Sequence, residues 1–179
     1  GEVLPQVAGV LRPGALVVSL CAGITTATIE ASLPAGTPVV RVMPNTPAQV
    51  DEGMAAVSGG ATATADHLDH VTTLLSAVGQ VVVVPEKYQD AVTAISGSGP
   101  AYLYFVVEAM IDAGVMLGLP RDTATTLVVQ TMYGSAKLLS ESGLHPTVLK
   151  ERVTSPGGTT AAALRELESH KVTAAFITA

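Results

Sequence analysis

The sequence has no tryptophan, two phenylalanines and four tyrosines, so a core has to be built from Val, Leu, Ile, Ala and Met. Its single cysteine, Cys21, excludes an internal disulfide framework and fits a reducing compartment. Basic residues are also few. Nine Lys and Arg are scattered among fifteen Asp and Glu, for a net charge of −6. A diffuse acidic chain of this kind excludes nucleic acid and an anionic membrane surface as its main partner. No apolar run is long. Residues 100–107 are closed off by Glu108 and Asp112, well short of the roughly 20 residues that cross a bilayer. No basic stretch precedes an apolar one near the first residues, so no secretory signal is expected.

Metal and nucleophile signals are missing too. His67, His70, His145 and His170 show no ligand spacing with Cys21. His67 and His70 lie one turn apart beside Asp66 and Asp69, a solvated helix face, so no metal is expected. There is no Ser-His-Asp order and no nucleophile elbow. Cys21, set among apolar residues, reads as a small core side chain.

What is present is apolar surface. Of the 179 residues, 48% are hydrophobic and 13% charged, richer than an ordinary soluble domain, so the excess has to enter a core or an oligomer interface. Residues 2–11 carry Val3, Leu4, Val7, Val10 and Leu11 at helical spacing. Residues 15–21 read as a buried strand, 25–33 as a helix, 38–43 as a strand and 53–57 as another. A helix follows over 65–78 with Leu68, Val71, Leu74 and Leu75 on one face, then a strand over 80–84. This alternation predicts α/β architecture with a largely parallel sheet. It stops at Pro85. From Glu86 onward the spacing predicts helices alone, over 88–95, 100–117, 121–140, 146–153 and 159–176. The class changes near residue 86, dividing the chain into 1–85 and 86–179. The helix over 100–117 is apolar nearly all round and has to be buried on every side. A second copy is the simplest cover, so an intertwined homodimer is expected; a self-contained bundle is the alternative.

Four segments carry possible chemistry. Residues 154–160 read TSPGGTT. Ser155 before Pro156 suits an N-cap, with Pro156 at the first helical position. Two glycines in a first turn weaken it by about 1 kcal/mol each relative to alanine. They also let a ligand reach free backbone N–H groups, which together with Thr159 and Thr160 could hold a small carboxylate. An ordinary capped helix start is the alternative. Residues 96–100 (SGSGP) are a second glycine-rich helix start, where close helix packing is the stronger reading. Residues 41–47 (RVMPNTP) and 21–23 (CAG) leave the ends of predicted strands, where ligands of open α/β sheets bind. Plain turns explain them equally well.

Taken together and in this order, 41–47 (RVMPNTP), 90–102 (DAVTAISGSGPAY) and 153–160 (VTSPGGTT) resemble the signature motifs of pyrroline-5-carboxylate reductases, and 19–24 (SLCAGI) resembles that family's cofactor-contacting strand end. The resemblance covers essentially the whole chain. It implies a partial Rossmann-type sheet in 1–85, the C-terminal part of a dinucleotide-binding domain, followed by an all-α dimerisation and substrate-binding domain in 86–179. It implies a cytoplasmic oxidoreductase of proline biosynthesis that reduces 1-pyrroline-5-carboxylate to L-proline with NADPH or NADH, built from interlocked dimers that commonly assemble into decamers. By resemblance, Gly157, Gly158, Thr159 and Thr160 bind the substrate carboxylate, and the Thr160 hydroxyl faces the ring nitrogen as the catalytic position. Ser155 lines the pocket and Glu86 matches a substrate-site acid. Cys21, Ala22 and Gly23 lie along the cofactor, with Asn45 and Thr46 near it or at the domain junction.

One feature of that family is missing. No G-x-G-x-x-G lies between a strand and a helix, so the chain is expected to start after the pyrophosphate-binding unit. Two alternatives stand beside the reductase: a non-catalytic dimerising fragment, and a hydroxy-acid dehydrogenase joining a Rossmann domain to a helical one.

Overall fold

The structure is a computed structural model that describes residues 3–179. It divides into two compact units, Gly1–Val106 and Val107–Ala179. In the first, strands β1 (Val17–Ser19), β2 (Val39–Met43), β3 (Gly53–Gly59) and β4 (Gly79–Val83) form one sheet in the order β1-β2-β3-β4. The sheet is largely parallel, as expected. β1 pairs parallel with β2 and β3 parallel with β4, while β2 and β3 run antiparallel. The reversal follows from chain length. Only residues 44–52 join β2 to β3, and a parallel crossover needs about a dozen residues or more.

Helix α1 covers Val3–Ala8 and buries nothing. The expected helix over 2–11 is thus shorter, with Val10 exposed beyond its end; position 2 lies outside the described residues. β1 is likewise shorter than the expected 15–21 and is an edge strand, with Val18 and Leu20 exposed. Helix α2 (Thr26–Glu30) is capped by Thr25, whose hydroxyl accepts from the Thr28 N–H. Helix α3 (Ala65–Leu75) continues as a 3-10 turn, Ser76–Val78. His67 accepts from the Thr64 N–H through Nδ1, closing a capping box at the start of α3.

The core lies between the sheet and α3. Val40, Val42, Ala55 and Val57 project from one sheet face onto Val71, flanked by Leu68, Leu75 and Val81. Alternation along each strand sends Val39, Arg41, Ala56 and Ser58 to the other face, where Ile29 of α2 is buried. The α3 face is narrower than its spacing implies. Leu74 is 67% exposed although Leu75 packs against the core.

After β4 the described elements are all helical. A 3-10 turn (Glu86–Tyr88) leads into α4 (Gln89–Val92), a π-helical turn (Thr93–Gly97) and α5 (Gly99–Met116). The second unit adds α6 (Arg121–Ser142), α7 (Pro146–Arg152), α8 (Thr159–Ser169) and α9 (Val172–Thr178). The single helix expected over 159–176 is broken. Lys171 takes a left-handed conformation, φ 59°, at the junction of α8 and α9. α5 has no buried residue, with Leu103, Tyr104, Phe105 and Met116 all exposed. The burial expected for that helix is not met within one chain. Ala124 and Val128 of α6 are the buried positions of the second unit.

Val71→Ala is expected to cost about 2 kcal/mol, whereas Leu74→Ala three residues along stays within about 0.5 kcal/mol. Urea unfolding midpoints of the two variants check this; equal losses would reject the assignment of the core face.

Candidate functional site

A buried charge organises the face of the sheet opposite α3. Arg41 sits in the middle of β2 with its side chain 3% exposed. A guanidinium in such a place requires an anionic partner. Glu86 supplies it, Arg41 Nη1 donating to Oε1 at 3.5 Å, while Asp90 Oδ1 lies 3.8 Å from Nη2. Glu86 also accepts from the Thr26 N–H at Oε1 and from the Thr26 hydroxyl at Oε2, both at 2.7 Å. Its carboxylate therefore closes the first turn of α2. Burial pushes the Glu86 carboxyl upward, but the Thr26 hydroxyl and N–H and the Arg41 guanidinium outweigh it and hold the group below the usual carboxylate range. Beside this cluster, Gln89 Nε2 donates to the Ser58 hydroxyl at 2.8 Å, and that hydroxyl donates to the Val84 carbonyl at 2.7 Å.

Glu86, expected to be a substrate-site acid, thus spends its oxygens on Thr26 and Arg41. Neither Arg41 nor Thr26 was singled out from the sequence. A lone arginine inside the apolar run VVRVM was the available signal, because a buried cation demands a carboxylate elsewhere in the chain.

Residues 21–23 leave the carboxyl end of β1 and are all exposed. Cys21 is exposed, not a core side chain. The three-residue β1 ends before it, so nothing of the sheet covers it. Gly23 has φ 73° with open space where a Cβ would lie. A cofactor lying across strand ends would fit such a bare, glycine-containing edge. At the end of β2, the Asn45 side chain is a brace. Oδ1 accepts from the Met54 N–H at 2.8 Å and Nδ2 donates to the Ser96 carbonyl at 3.2 Å. Thr46 is exposed at the start of the 3-10 turn Thr46–Val50. A Cβ at Gly97 would meet the methyl of Met43, the flexible end of a β2 side chain, which would have to turn aside.

In the second unit, residues 155–158 form a turn closed by the Gly158 N–H donating to the Ser155 carbonyl at 3.0 Å. Pro156 followed by Gly157 at φ 67° is the pattern of a type II turn. Ser155 is therefore not the N-cap. Gly158 is, with α8 starting at Thr159, so the glycines precede the helix instead of weakening its first turn. A side chain at 158 would meet the Ser155 carbonyl oxygen at 3.2 Å. Being glycine, the cap offers no hydroxyl or carboxylate to the helix. The first helical bond is from the Ala162 N–H to the Gly158 carbonyl. The N–H groups of Thr159, Thr160 and Ala161 are left pointing outward from the positive end of an 11-residue helix. Ala161 was missed from the sequence, and the Gly158 N–H, counted as free, belongs to the turn. The Thr159 and Thr160 hydroxyls make no hydrogen bond among the described residues, and Thr160 is half-buried. Three donors beside two hydroxyls have the geometry that can receive a small anion. Among the described residues no His, Cys, Asp or Glu group could hold a metal ion, and no helix is long and apolar enough to cross a membrane.

The lowered Glu86 pKa has a defined sign. Its contribution to stability is complete above the unfolded-state value of about 4.3 and is lost as pH falls through the lower folded value. Glu86→Gln is expected to lower stability at pH 7 and to flatten its decline below about pH 4.5. Thermal unfolding from pH 3 to 7 reads this, and an unchanged pH profile would contradict the pairing.

Comparison with known proteins converges on one family. A family model described as pyrroline-5-carboxylate reductase dimerisation matches residues 86–179. A pyrroline-5-carboxylate reductase of Corynebacterium melassecola is 51% identical over 98% of this chain and 66% of its own length. That of Mycobacterium tuberculosis is 51% identical over 84% of this chain and 57% of its own. The chain therefore spans 57–66% of these curated relatives. The crystal structure of Plasmodium falciparum pyrroline carboxylate reductase with NADP bound superposes with a TM-score of 0.92 at 34% identity, covering 99% of this chain and 71% of that one. With the family model spanning more than half of its residues and this resemblance running along nearly all of it, the chain belongs to the pyrroline-5-carboxylate reductase family.

Proposed function

We propose that the protein reduces 1-pyrroline-5-carboxylate to L-proline by hydride transfer from NADPH or NADH, as the last step of proline synthesis. The observation that carries the reading is the uncapped start of α8. The N–H groups of Thr159, Thr160 and Ala161 hold the substrate carboxylate without a Lys or Arg, and the Pro156-Gly157 turn keeps the entrance free of side chains. Gly157, Gly158 and Ser155 form the wall of that entrance. The Thr160 hydroxyl, without a hydrogen bond among the described residues, faces the ring nitrogen and accepts from the protonated imine. The nicotinamide, when bound, supplies a hydride with its electron pair. As the hydride adds to the imine carbon, the C=N π pair moves onto nitrogen, which already carries its proton. The protein need not donate an acid. Its contribution is to hold the acceptor carbon at near-attack distance.

In this reading, residues 1–85 belong to the dinucleotide-binding domain, with residues 21–23 and 45–46 on the cofactor side, and 86–179 form the helical dimerisation and substrate domain. The cofactor assignment is supported by the Plasmodium falciparum relative, whose crystal structure has NADP bound. Pairing of two copies through the helical region is supported by the exposed apolar faces of α5 and α6 and by the description of the matching family model. Further assembly, to decamers, and action in the cytoplasm away from membranes complete the proposal.

In the natural full-length protein, Thr160→Ala is expected to lower kcat/KM for the cyclic imine about 100-fold or more, with the NADPH dissociation constant within about twofold. Steady-state kinetics beside an NADPH titration check this. Unchanged turnover would remove Thr160 from its role. A substrate panel in which 3-hydroxy acids outpace the cyclic imine would favour the dehydrogenase alternative.

A further inference from the structure

The loop at residues 20–25 has little of its own to fix its shape. It is exposed throughout, it contains Gly23 at φ 73°, and its hydrogen bonds are local: the Cys21 N–H to the Ser19 hydroxyl at 3.3 Å, and Thr25 capping α2. Its course is set by the two points where it is anchored. The first is Ser19, at the end of a three-residue edge strand. The second is Thr26, the buried first residue of a five-residue helix. Elements this short do not hold position by themselves.

Arg41 meets both anchors. In the β1–β2 register, Ser19 is the partner of Arg41. At the other end, Thr26 is gripped twice by the Glu86 carboxylate, through main chain and hydroxyl, and Glu86 is in turn paired with Arg41. A loop of this sheet is thus tied at its entry to the Arg41 main chain through the β1–β2 ladder, and at its exit to the Arg41 guanidinium through Glu86 and Thr26. The relay runs through Glu86, whose partners Thr26 and Arg41 lie 60 and 45 residues away along the chain. Bidentate acceptance at 2.7 Å fixes the Thr26 backbone in distance and direction, which a single surface contact does not.

We propose that Thr26, Glu86 and Arg41 are positioning residues that fix the loop at 21–25 for cofactor binding. This rests on the reading that residues 21–23 lie along the cofactor. Glu86 acts on the reaction through Thr26 rather than by touching substrate. The clamp governs affinity for NADPH and leaves the carboxylate site of α8 to its own main-chain donors.

The test uses the natural full-length protein with Thr26→Val, Glu86→Gln and, as a direct probe of the loop, Gly23→Ala, which places a side chain on a left-handed backbone. Fluorescence titration gives the NADPH dissociation constant, and initial rates at saturating NADPH give KM for pyrroline-5-carboxylate. The expected result is that Thr26→Val and Glu86→Gln raise the NADPH dissociation constant about tenfold, while the imine KM and kcat stay within about twofold. A purely structural role would lower the melting temperature and leave NADPH affinity unchanged well below it. If that happens while Gly23→Ala weakens NADPH, the positioning role is overturned and the loop assignment stands. If Gly23→Ala also leaves NADPH affinity intact, the loop assignment fails and the positioning role fails with it. Thr26→Val keeps the carboxylate and the guanidinium, so it decides the matter should Glu86→Gln fail to fold.

Discussion

The first turn of α8 has three main-chain donors and no side chain to satisfy them. A Ser, Thr, Asp or Asn at the cap would supply an acceptor, worth roughly a few tenths of a kcal/mol to the helix over glycine. The chain has Gly158 there instead, held by a turn whose left-handed residue is Gly157. In the proposed reading an anion takes the place of the missing side-chain cap. Recognition of this kind uses dipoles that cannot swing away, so a small ring carboxylate is fixed in direction as well as in position. Everything proposed about the reaction depends on that constraint, since a reaction that needs no protein acid is accelerated chiefly by placement.

The first unit solves a different problem with a charge. Arg41 is the one cation on a strand whose other residues are apolar, and its burial is tolerable because Glu86 lies against it. Removing Glu86 leaves the buried guanidinium with Asp90 alone, 3.8 Å away and on the exposed side. Glu86 brings more than neutralisation, because its remaining acceptor sites take the first turn of α2. The segment that follows β4 is thereby fastened to a strand and to a helix start. Gln89 and Ser58 continue the polar layer, with Gln89 fully buried on the same face of the sheet.

Much of this was legible in the sequence, and the failures have common causes. Strand positions and helix starts followed from runs of β-branched residues, from Pro and Gly punctuation and from helical spacing. The antiparallel step between β2 and β3 was also there, in the shortness of residues 44–52, but hydropathy alone does not show direction. Burial was harder. Leu74, Val18 and Cys21 read as core because apolar residues in sequence do not state which neighbour covers them. At 154–160 the motif was evident while its register was not. Ser155 looks like a cap by residue type, but the proline turn moves the helix start to Thr159. The Thr26–Glu86–Arg41 cluster joins residues far apart in the chain, and no local pattern contains it.

The central claim is that main-chain dipoles at the start of α8 receive the carboxylate. A crystal structure of the natural full-length protein with NADP and L-proline tests it most directly. The account predicts the proline carboxylate within hydrogen-bond distance of the Thr159, Thr160 and Ala161 N–H groups, with the ring nitrogen at the Thr160 hydroxyl. A proline carboxylate held by a Lys or Arg side chain, with the first turn of α8 facing solvent, would contradict it.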